Sequence, residues 1–428
     1  MATSLKVAVI GAGLAGLTAA RELQRESHQV VVFEKFHRLG GTWAYDPRVE
    51  SDLLGVDPNR DIVHGSLYYS MRTNLPRELM SFTDFKFSEK VYCDPRKFPC
   101  HDEVLKFLED FASTFELTKL IRFNTVVTEV EVVDSEILTK FVVESKTNGV
   151  HSVEVFDAVV VCNGHNTEPQ LPTDIPGIET WSKNQMHSHN YRVPAPFLDQ
   201  IVVIIGSGPS ATDLSREIAT VAKEVHMSSR SALVNTPKLV KCNNLWQHSK
   251  INYISADGTM TFQDGVSVEA DIILYCTGYK YHVPFLKTNG MVCVRDKRIG
   301  PLYKHVFPPR LAPRLSFVGI PEKGFTFLTM ELQSRWIANA LSRKVLLPSE
   351  DEMLSDVDEY YQEMEEKGLQ ENHTHSLVKK PQYLEFLYAQ SGMVMEKQIK
   401  DVIEYFTHCY VMAGFDGYMD AFLEKYGI

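Results

Sequence analysis

The chain has 428 residues, a formal net charge of −11 and 44% hydrophobic residues. One hydrophobic core seldom grows to this length, so we expect two domains, and the composition is that of a folded protein. The negative charge argues against a nucleic-acid partner, because proteins that bind nucleic acids present basic surfaces to the phosphates.

The seven cysteines include no C-x-x-C pair, so we predict neither a disulfide framework nor a metal site. The first strand is predicted from about Leu5, which leaves no room for a signal peptide, and no apolar run is long enough to span a bilayer. We therefore expect a cytoplasmic protein without a membrane span. The sequence identifies no protein partner.

The first predicted strand, VAVI, runs into Gly11, Gly13 and Gly16 in G-x-G-x-x-G spacing, and a helical pattern follows. The first two glycines allow a tight turn and the close approach of a pyrophosphate, and the third lets helix and strand pack together. A second predicted strand, QVVVF, ends at Glu34, where a carboxylate can bond a ribose hydroxyl. This pattern predicts a site for a dinucleotide with an unphosphorylated ribose, as in FAD.

After Glu34, the stretch KFHRLGGTWAYDP contains paired glycines and a tryptophan. We predict that this loop approaches the isoalloxazine side of the cofactor, with Gly41 and Trp43 as candidate contacts, and a plain surface turn is the alternative. Residues 102–117 have a helical pattern, and three strand-like runs up to FDAVVVCNG then indicate an antiparallel meander within the first domain.

A second strand, glycine loop and helix occur at VVIIGSGPSA, where Ala211 takes the place of the third glycine. The strand that follows, EVHMSS, ends at Arg230 instead of an acid. A guanidinium suits a 2′-phosphate through paired charge-assisted bonds, so this loop predicts NADP(H), and a solvated charge at a strand end is the alternative. The candidate NADP contacts are Gly206, Gly208, Ser210, Ser229 and Arg230.

The segment GHNTEPQLPTDIPGIE is rich in turn-forming residues and predicts a linker, and ADIILYCTGYK later resembles FDAVVVCNGHN. We interpret these two similar strand ends as the two crossings between domains. The prediction is an α/β fold with two dinucleotide-binding, Rossmann-like domains. A smaller NADPH domain, 167–279, is inserted into a larger FAD domain made of 1–166 and 280–428, which ends in a divergent helical segment.

Together with the loops, the segments SLYYSMRTNLPRELMSFTDFKF and MHSHNYR resemble those of flavin-containing monooxygenases. The chain is most similar to the plant S-oxygenases that act on glucosinolates or, in garlic, on S-alkenyl cysteines, and the likeness loosens after about Pro381. His187 and Tyr191 match the family fingerprint F-x-G-x-x-x-H-x-x-x-[YF], whereas Trp181 and Lys183 depart from it. Tyr191 favours S- or N-oxygenation, because the Baeyer–Villiger relatives have Trp there.

The resemblance implies that Asn74, in RTNLP, is a catalytic residue that lies over the flavin. Its amide can bond the flavin ring, retained NADP and the peroxide without titrating. The alternative is an asparagine that begins a turn before Pro76. Gln333 is predicted at a helix start that faces the pyrimidine edge of FAD, with a plain amphipathic helix as an equal alternative.

The resemblance also implies the reaction. NADPH reduces FAD, NADP remains bound, and dioxygen forms a flavin 4a-hydroperoxide that oxygenates a small thioether to a sulfoxide. Such a thioether is an S-alkyl or S-alkenyl cysteine or a glucosinolate side chain. The alternatives are N-oxygenation of an amine, Baeyer–Villiger oxidation and, in another class, a catalytically silent NADPH-sensing protein. A flavin disulfide reductase is disfavoured, because the chain has no C-x-x-C motif.

Overall fold

The computed structural model describes residues 4–133, 139–230, 242–295, 297–377 and 381–427. These residues form two compact units. The first unit comprises Met1–Ala44, Met71–His165 and Tyr281–Ile428, and the second comprises Tyr45–Ser70 and Asn166–Lys280. The predicted FAD domain, 1–166, included residues 45–70, which belong to the second unit in the structure.

The strands are short, and several have only two residues. In chain order they are β1 (Lys6–Ile10), β2 (Gln29–Phe33), β3 (Ile121–Arg122), β4 (Thr125–Val133), β5 (Lys140–Thr147), β6 (Val150–Phe156), β7 (Ala158–Val161), β8 (Glu168–Pro169), β9 (Asn184–His187), β10 (Ile201–Ile205), β11 (Glu224–Ser228), β12 (Leu245–His248), β13 (Ile251–Ile254), β14 (Thr259–Phe262), β15 (Ser267–Glu269), β16 (Ile272–Tyr275), β17 (Tyr279–Lys280), β18 (Leu286–Lys287), β19 (Cys293–Arg295), β20 (Arg298–Gly300) and β21 (Leu315–Phe317).

The helices vary more in length than the strands do. They are α1 (Leu14–Arg25), α2 (His101–Thr114), α3 (Pro209–Ile218), α4 (Thr326–Leu341), α5 (Glu350–Glu366), α6 (Pro381–Gln390) and α7 (Lys397–Tyr426). In the described part of the chain, no helix has the length and apolar character needed to cross a membrane.

The first unit is built on a parallel sheet with the strand order β21-β7-β1-β2-β3. Val7, Ala8 and Val9 of β1 are fully buried, as expected when both faces of a parallel sheet are covered. Helices α1 and α4 contribute to the core on one face, and strands β4, β5 and β6 pack on the other. These three strands pair antiparallel, so the predicted meander is present, but its third strand is β6. The predicted third run, FDAVVVCNG, instead forms β7 of the parallel sheet, because its continuous apolar residues are buried on both faces.

The second unit has its own parallel sheet, with the strand order β12-β11-β10-β16-β9. Its central strand, β10, is followed by α3, as β1 is followed by α1 in the first unit. In both sheets the chain order reverses at this central strand, and in such folds ligands bind beyond the carboxyl end of that strand. The predicted α/β fold class with two Rossmann-like domains is confirmed.

A buried ion-pair network ties residues 45–70 to the rest of the second unit. Arg60 binds Glu50 at 2.9 Å and Glu168 at 2.9 Å, and Glu50 is only 2% exposed. The Glu50 backbone N–H also donates to Asn190 Oδ1 at 2.8 Å. A buried charge needs such partners, so these bonds account for the place of this segment in the second unit.

The C-terminal part of the first unit is helical. Helix α7 contains a break at Gly414, whose φ of 63° lies in the left-handed region. Tyr418 and Phe422, beyond the break, are 1% and 0% exposed. The C-terminal segment therefore packs on the body of the first unit.

Candidate cofactor sites

The first glycine loop joins β1 to α1. Gly13 is the N-cap of α1, and no side chain caps this helix end. The first backbone N–H groups of a helix have no partner within the helix, and together they favour an anion such as a diphosphate. Gly11 has a φ of 106°, a conformation that favours glycine. The loop therefore fits the pyrophosphate of a dinucleotide.

The third glycine of this loop is required by packing. A Cβ atom on Gly16 would overlap the carbonyl oxygen of Gly11. The first turn of α1 thus lies directly against the loop, as the predicted role of Gly16 in close packing requires. Any side chain at this position would push the helix away from the loop.

The predicted second contact loop lies against the first. A Cβ atom on Gly41 would lie 2.8 Å from the Cα atom of Gly13, so the two loops meet backbone to backbone. Gly41 begins a short 3-10 turn that ends at Trp43. The Trp43 ring is half-buried and lies 6.4 Å from the ring of Phe327 in α4. Both residues stand beside the glycine loop, and their contact with FAD stays a prediction.

Glu34 follows β2 and is 5% exposed. Its Oε2 accepts a hydrogen bond from the Ala12 backbone N–H at 2.7 Å, and its Oε1 accepts one from Phe36 at 2.8 Å. Burial raises the pKa of this carboxyl above its ordinary value, and the two backbone donors act in the opposite direction. Glu34 thus holds the glycine loop, and its contact with the ribose of FAD stays a prediction.

Asn74 lies in the first unit, just before the 3-10 turn Arg77–Met80. Its side chain is exposed, but its backbone is held: the carbonyl oxygen accepts a hydrogen bond from Tyr418 Oη at 3.0 Å. The neighbouring Thr73 N–H donates to the Pro99 carbonyl at 2.9 Å. Sequence reasoning did not find Tyr418, because no motif links two residues that lie 344 positions apart.

Gln333 lies about two turns inside α4, which begins at Thr326. The prediction that it stands at a helix start is therefore wrong. The side chain is fully buried: Oε1 accepts from the Gly319 N–H at 3.0 Å, and Nε2 donates to Tyr383 Oη at 2.8 Å. Both ends of the amide thus have partners within the protein, and its contact with FAD stays a prediction.

The second glycine loop joins β10 to α3. Gly206 has a φ of 134°, and Gly208 is the N-cap of α3 without a capping side chain. A Cβ atom on Gly208 would meet no atom within 4 Å, and Ser210 in the first helical turn is exposed. This helix end is therefore open, and its backbone donors fit the phosphates of a second dinucleotide.

The two predicted ribose-side residues follow β11 and differ in exposure. Ser229 is 2% exposed, and its backbone N–H donates to the His248 carbonyl at 3.1 Å. Arg230 is exposed, as expected for a residue that meets a mobile coenzyme. Their binding of a 2′-phosphate stays a prediction.

The two fingerprint residues lie in the second unit and are buried. His187 ends β9, and its Nδ1 accepts from the His189 N–H at 3.1 Å. Tyr191 packs its ring against Tyr68 and Phe197, each at a centroid distance of 5.7 Å. These contacts give both residues a role in the structure of the second unit.

The comparisons with known proteins agree over most of the chain. The model of the flavin-binding monooxygenase-like family matches residues 4–235 and 234–401. Flavin-containing monooxygenase FMO GS-OX5 of Arabidopsis thaliana is 54% identical over 380 residues, which cover 87% of this chain and 82% of the relative.

Solved structures extend this similarity to the three-dimensional fold. S-allyl-L-cysteine S-oxygenase from Allium sativum is 46% identical, with a TM-score of 0.93, and the match covers 99% of this chain and 98% of that chain. Tmm from a Pelagibacter strain is 26% identical, with a TM-score of 0.77, and the match covers 94% and 90% of the two chains.

These matches confirm the resemblance that the two glycine loops and the RTNLP segment indicate. They also confirm the predicted flavin cofactor and the prediction of an enzyme, so a catalytically silent protein is disfavoured. The chain belongs to the flavin-binding monooxygenase-like family, and it is an FAD-dependent monooxygenase that groups with the plant GS-OX and S-oxygenase relatives.

Proposed function

We propose that this protein is an NADPH-dependent S-oxygenase that transfers one oxygen atom of dioxygen to the sulfur of a small thioether. The observation that carries this proposal is the 46% identity over 99% of the chain to an S-allyl-L-cysteine S-oxygenase. The substrate class is an S-alkyl or S-alkenyl cysteine or the thioether of a glucosinolate side chain. The product is the sulfoxide, and the second oxygen atom leaves as water.

In this proposal, FAD and NADPH bind at two separate sites. FAD lies with its pyrophosphate at the Gly11–Gly16 loop and its ribose at Glu34. NADPH lies at the loop of Gly206 and Gly208, with its 2′-phosphate at Arg230. When bound, the flavin supplies the redox chemistry, in which NADPH provides the electrons and dioxygen is activated. The open end of α3 supports an exchangeable coenzyme at the second site.

Asn74 orients the reaction partners through its amide. An amide both donates and accepts hydrogen bonds and keeps one protonation state at every working pH. A thioether sulfur attacks with its own lone pair, so the reaction needs no general base to remove a proton from the substrate. The protein therefore has to bind, orient and exclude water, and the fixed backbone around Asn74 suits that role.

Product analysis tests the substrate class. The FAD-loaded protein is supplied with NADPH and, separately, with S-allyl cysteine, N,N-dimethylaniline or cyclohexanone, and product, NADPH consumption and hydrogen peroxide are measured. We expect close to one sulfoxide per NADPH with the thioether and mostly peroxide with the other two compounds. Preferential formation of the amine oxide or of the lactone would refute the proposal.

Substitution of Asn74 tests its role. Because the side chain is exposed in the structure, Asn74→Ala should leave folding and flavin content unchanged. We expect at least about tenfold less sulfoxide per NADPH, the effect of losing one or two strong hydrogen bonds, with peroxide making up the difference. An unchanged ratio of sulfoxide to NADPH would remove Asn74 from the site.

We also propose a cytoplasmic location. All seven cysteines are free, including the exposed Cys93 and Cys293, and free thiols persist in a reducing compartment. Fractionation of cells that express the tagged protein tests this proposal. Recovery in an organelle fraction would contradict it.

A further inference from the structure

Helix α7 folds into a hairpin in the first unit. The break at Gly414 separates its two halves, and Tyr405 Oη in the first half donates to the Ala421 carbonyl in the second at 3.1 Å. The rings of Phe406 and Phe422, one from each half, lie 5.8 Å apart. We call residues 397–426 the C-terminal hairpin.

The hairpin packs on the chain around Asn74. Phe98 lies 6.4 Å from the Tyr418 ring and 5.9 Å from the Phe422 ring, and Leu79 is fully buried in the same cluster. The segment that contains Asn74 therefore contributes apolar side chains to the contact with the hairpin.

Two sets of bonds hold the Asn74 segment. One set is local: the Thr73 N–H donates to the Pro99 carbonyl, and the buried Arg77 guanidinium donates to Glu103 at 2.8 Å. These bonds fix the residues on either side of Asn74. The bond from Tyr418 Oη is made to the carbonyl oxygen of Asn74 itself, at 3.0 Å.

We propose that Tyr418 is a positioning residue for the monooxygenase reaction. By binding the Asn74 carbonyl, it fixes the plane of that peptide unit, and the plane sets the direction in which the Asn74 side chain leaves the backbone. Through this bond, the C-terminal hairpin raises the fraction of consumed NADPH that yields sulfoxide instead of peroxide. This inference rests on the proposed role of Asn74. The family match ends at residue 401, so Tyr418 lies outside the region that the family model matches.

Tyr418→Phe tests the proposal, because it keeps the ring and its packing and removes only the hydroxyl. We expect sulfoxide per NADPH to fall about fivefold, the effect of one ordinary hydrogen bond, with a matching rise in peroxide. Flavin content and the KM for NADPH should stay at wild-type values. A lower melting temperature with unchanged sulfoxide per NADPH would show a merely structural role and overturn the proposal.

Hydrogen exchange supplies a second readout that does not depend on activity. In the flavin-free protein, the amides of residues 73–75, which precede Pro76, should exchange about fivefold faster in Tyr418→Phe than in the wild type. The matched control is Tyr405→Phe, which removes a hydroxyl from the same hairpin and leaves the bond to Asn74 intact. It should show wild-type exchange at residues 73–75 and a wild-type yield of sulfoxide per NADPH. Equal behaviour of the two variants would overturn the proposal.

A double-mutant cycle separates this inference from the proposed function. If Tyr418 acts through Asn74, the double variant of Asn74→Ala and Tyr418→Phe should form as much sulfoxide per NADPH as Asn74→Ala alone. Additive losses would overturn the inference and leave the proposed function standing. If Asn74→Ala instead forms as much sulfoxide per NADPH as the wild type, the role of Asn74 is refuted. The basis of the inference is then refuted as well.

Discussion

The two glycine loops have the same order of strand, loop and helix but different surroundings. In the first loop, Glu34 accepts from the Ala12 N–H, and Gly41 lies against Gly13. In the second, the position beside Gly208 is open, and the following strand leads to an exposed arginine. The first loop is braced by its own chain, as suits a resident flavin. The second is open, as suits a coenzyme that exchanges in each cycle.

The third position of each loop shows the same contrast. Gly16 and Ala211 are both the third residue of the helix that follows the loop. A methyl group on Gly16 would overlap the Gly11 carbonyl, whereas the methyl group of Ala211 is accommodated and fully buried. The first helix therefore packs more closely on its loop than the second. Four predictions follow from the comparison, and the first has the largest expected effect.

Gly16→Ala should destabilise the first unit and release its flavin. The added methyl group has no room, and overpacking of this kind costs about 3 kcal/mol of unfolding free energy. Chemical denaturation of the flavin-free protein measures this loss, and absorbance after gel filtration measures retained flavin. Wild-type stability together with full flavin retention would show that the first loop is not closely packed.

The reciprocal substitution in the second loop is the control. Ala211→Gly should cost only about 1 to 2 kcal/mol, from the lower helix propensity of glycine and the loss of one buried methyl group, and should leave flavin bound. Equal losses in the two variants would remove the contrast between the loops.

Glu34→Gln tests the bracing of the first loop. The carboxylate accepts from two backbone donors, whereas an amide has one oxygen and would place an NH₂ group against the second donor. We expect a loss of about 2 kcal/mol in unfolding free energy and weaker flavin binding, measured by denaturation and by flavin titration. Unchanged stability of the flavin-free protein would show that Glu34 does not hold the loop.

Arg230→Ala tests the open loop. It should raise the KM for NADPH about 10- to 100-fold, the effect of one or two charge-assisted bonds, and leave the KM for NADH unchanged. Flavin content should not change, because the substitution lies in the second unit. Lys223→Ala, at another exposed basic position of that unit, is the charge control. Similar effects on both coenzymes would refute a 2′-phosphate contact.

Local patterns predicted the fold and both loops correctly, because glycine spacing and strand periodicity encode the geometry of adjacent residues. The sequence did not reveal contacts between distant residues. The Arg60 bond to Glu168 spans 108 positions, and nothing in either segment predicts that residues 45–70 join the second unit. For the same reason, the partners of Gln333 and the bond from Tyr418 to Asn74 had no sequence signal.

The smallest expected effect concerns pH, and Glu34 of the first unit and His226 of the second contribute to it with opposite signs. Burial raises the pKa of Glu34, beside β2, so the folded first unit holds this proton more tightly than the unfolded chain does. The contribution of Glu34 to the stability of the first unit should therefore fall as pH rises through that pKa. Burial lowers the pKa of His226 in β11 below 6.5, so the second unit should lose stability as pH falls below 6.5.

Hydrogen exchange at pH 5.5 and 7.5, corrected for intrinsic rates, separates these two effects. Burial also lowers the pKa of His28, next to β2, so the measurement uses the His28→Gln background. Acidification should there reduce the protection of β11 amides and maintain or increase that of β2 amides. His226 contacts His248 at 3.0 Å and Glu224 at 3.2 Å, and Glu224 opposes the effect of burial, which keeps the change small. His226→Gln should abolish the pH response of β11 and leave β2 unaffected. Equal loss of amide protection in both strands on acidification would show that the two units respond to pH in the same way. The difference between the units would then be limited to their glycine loops.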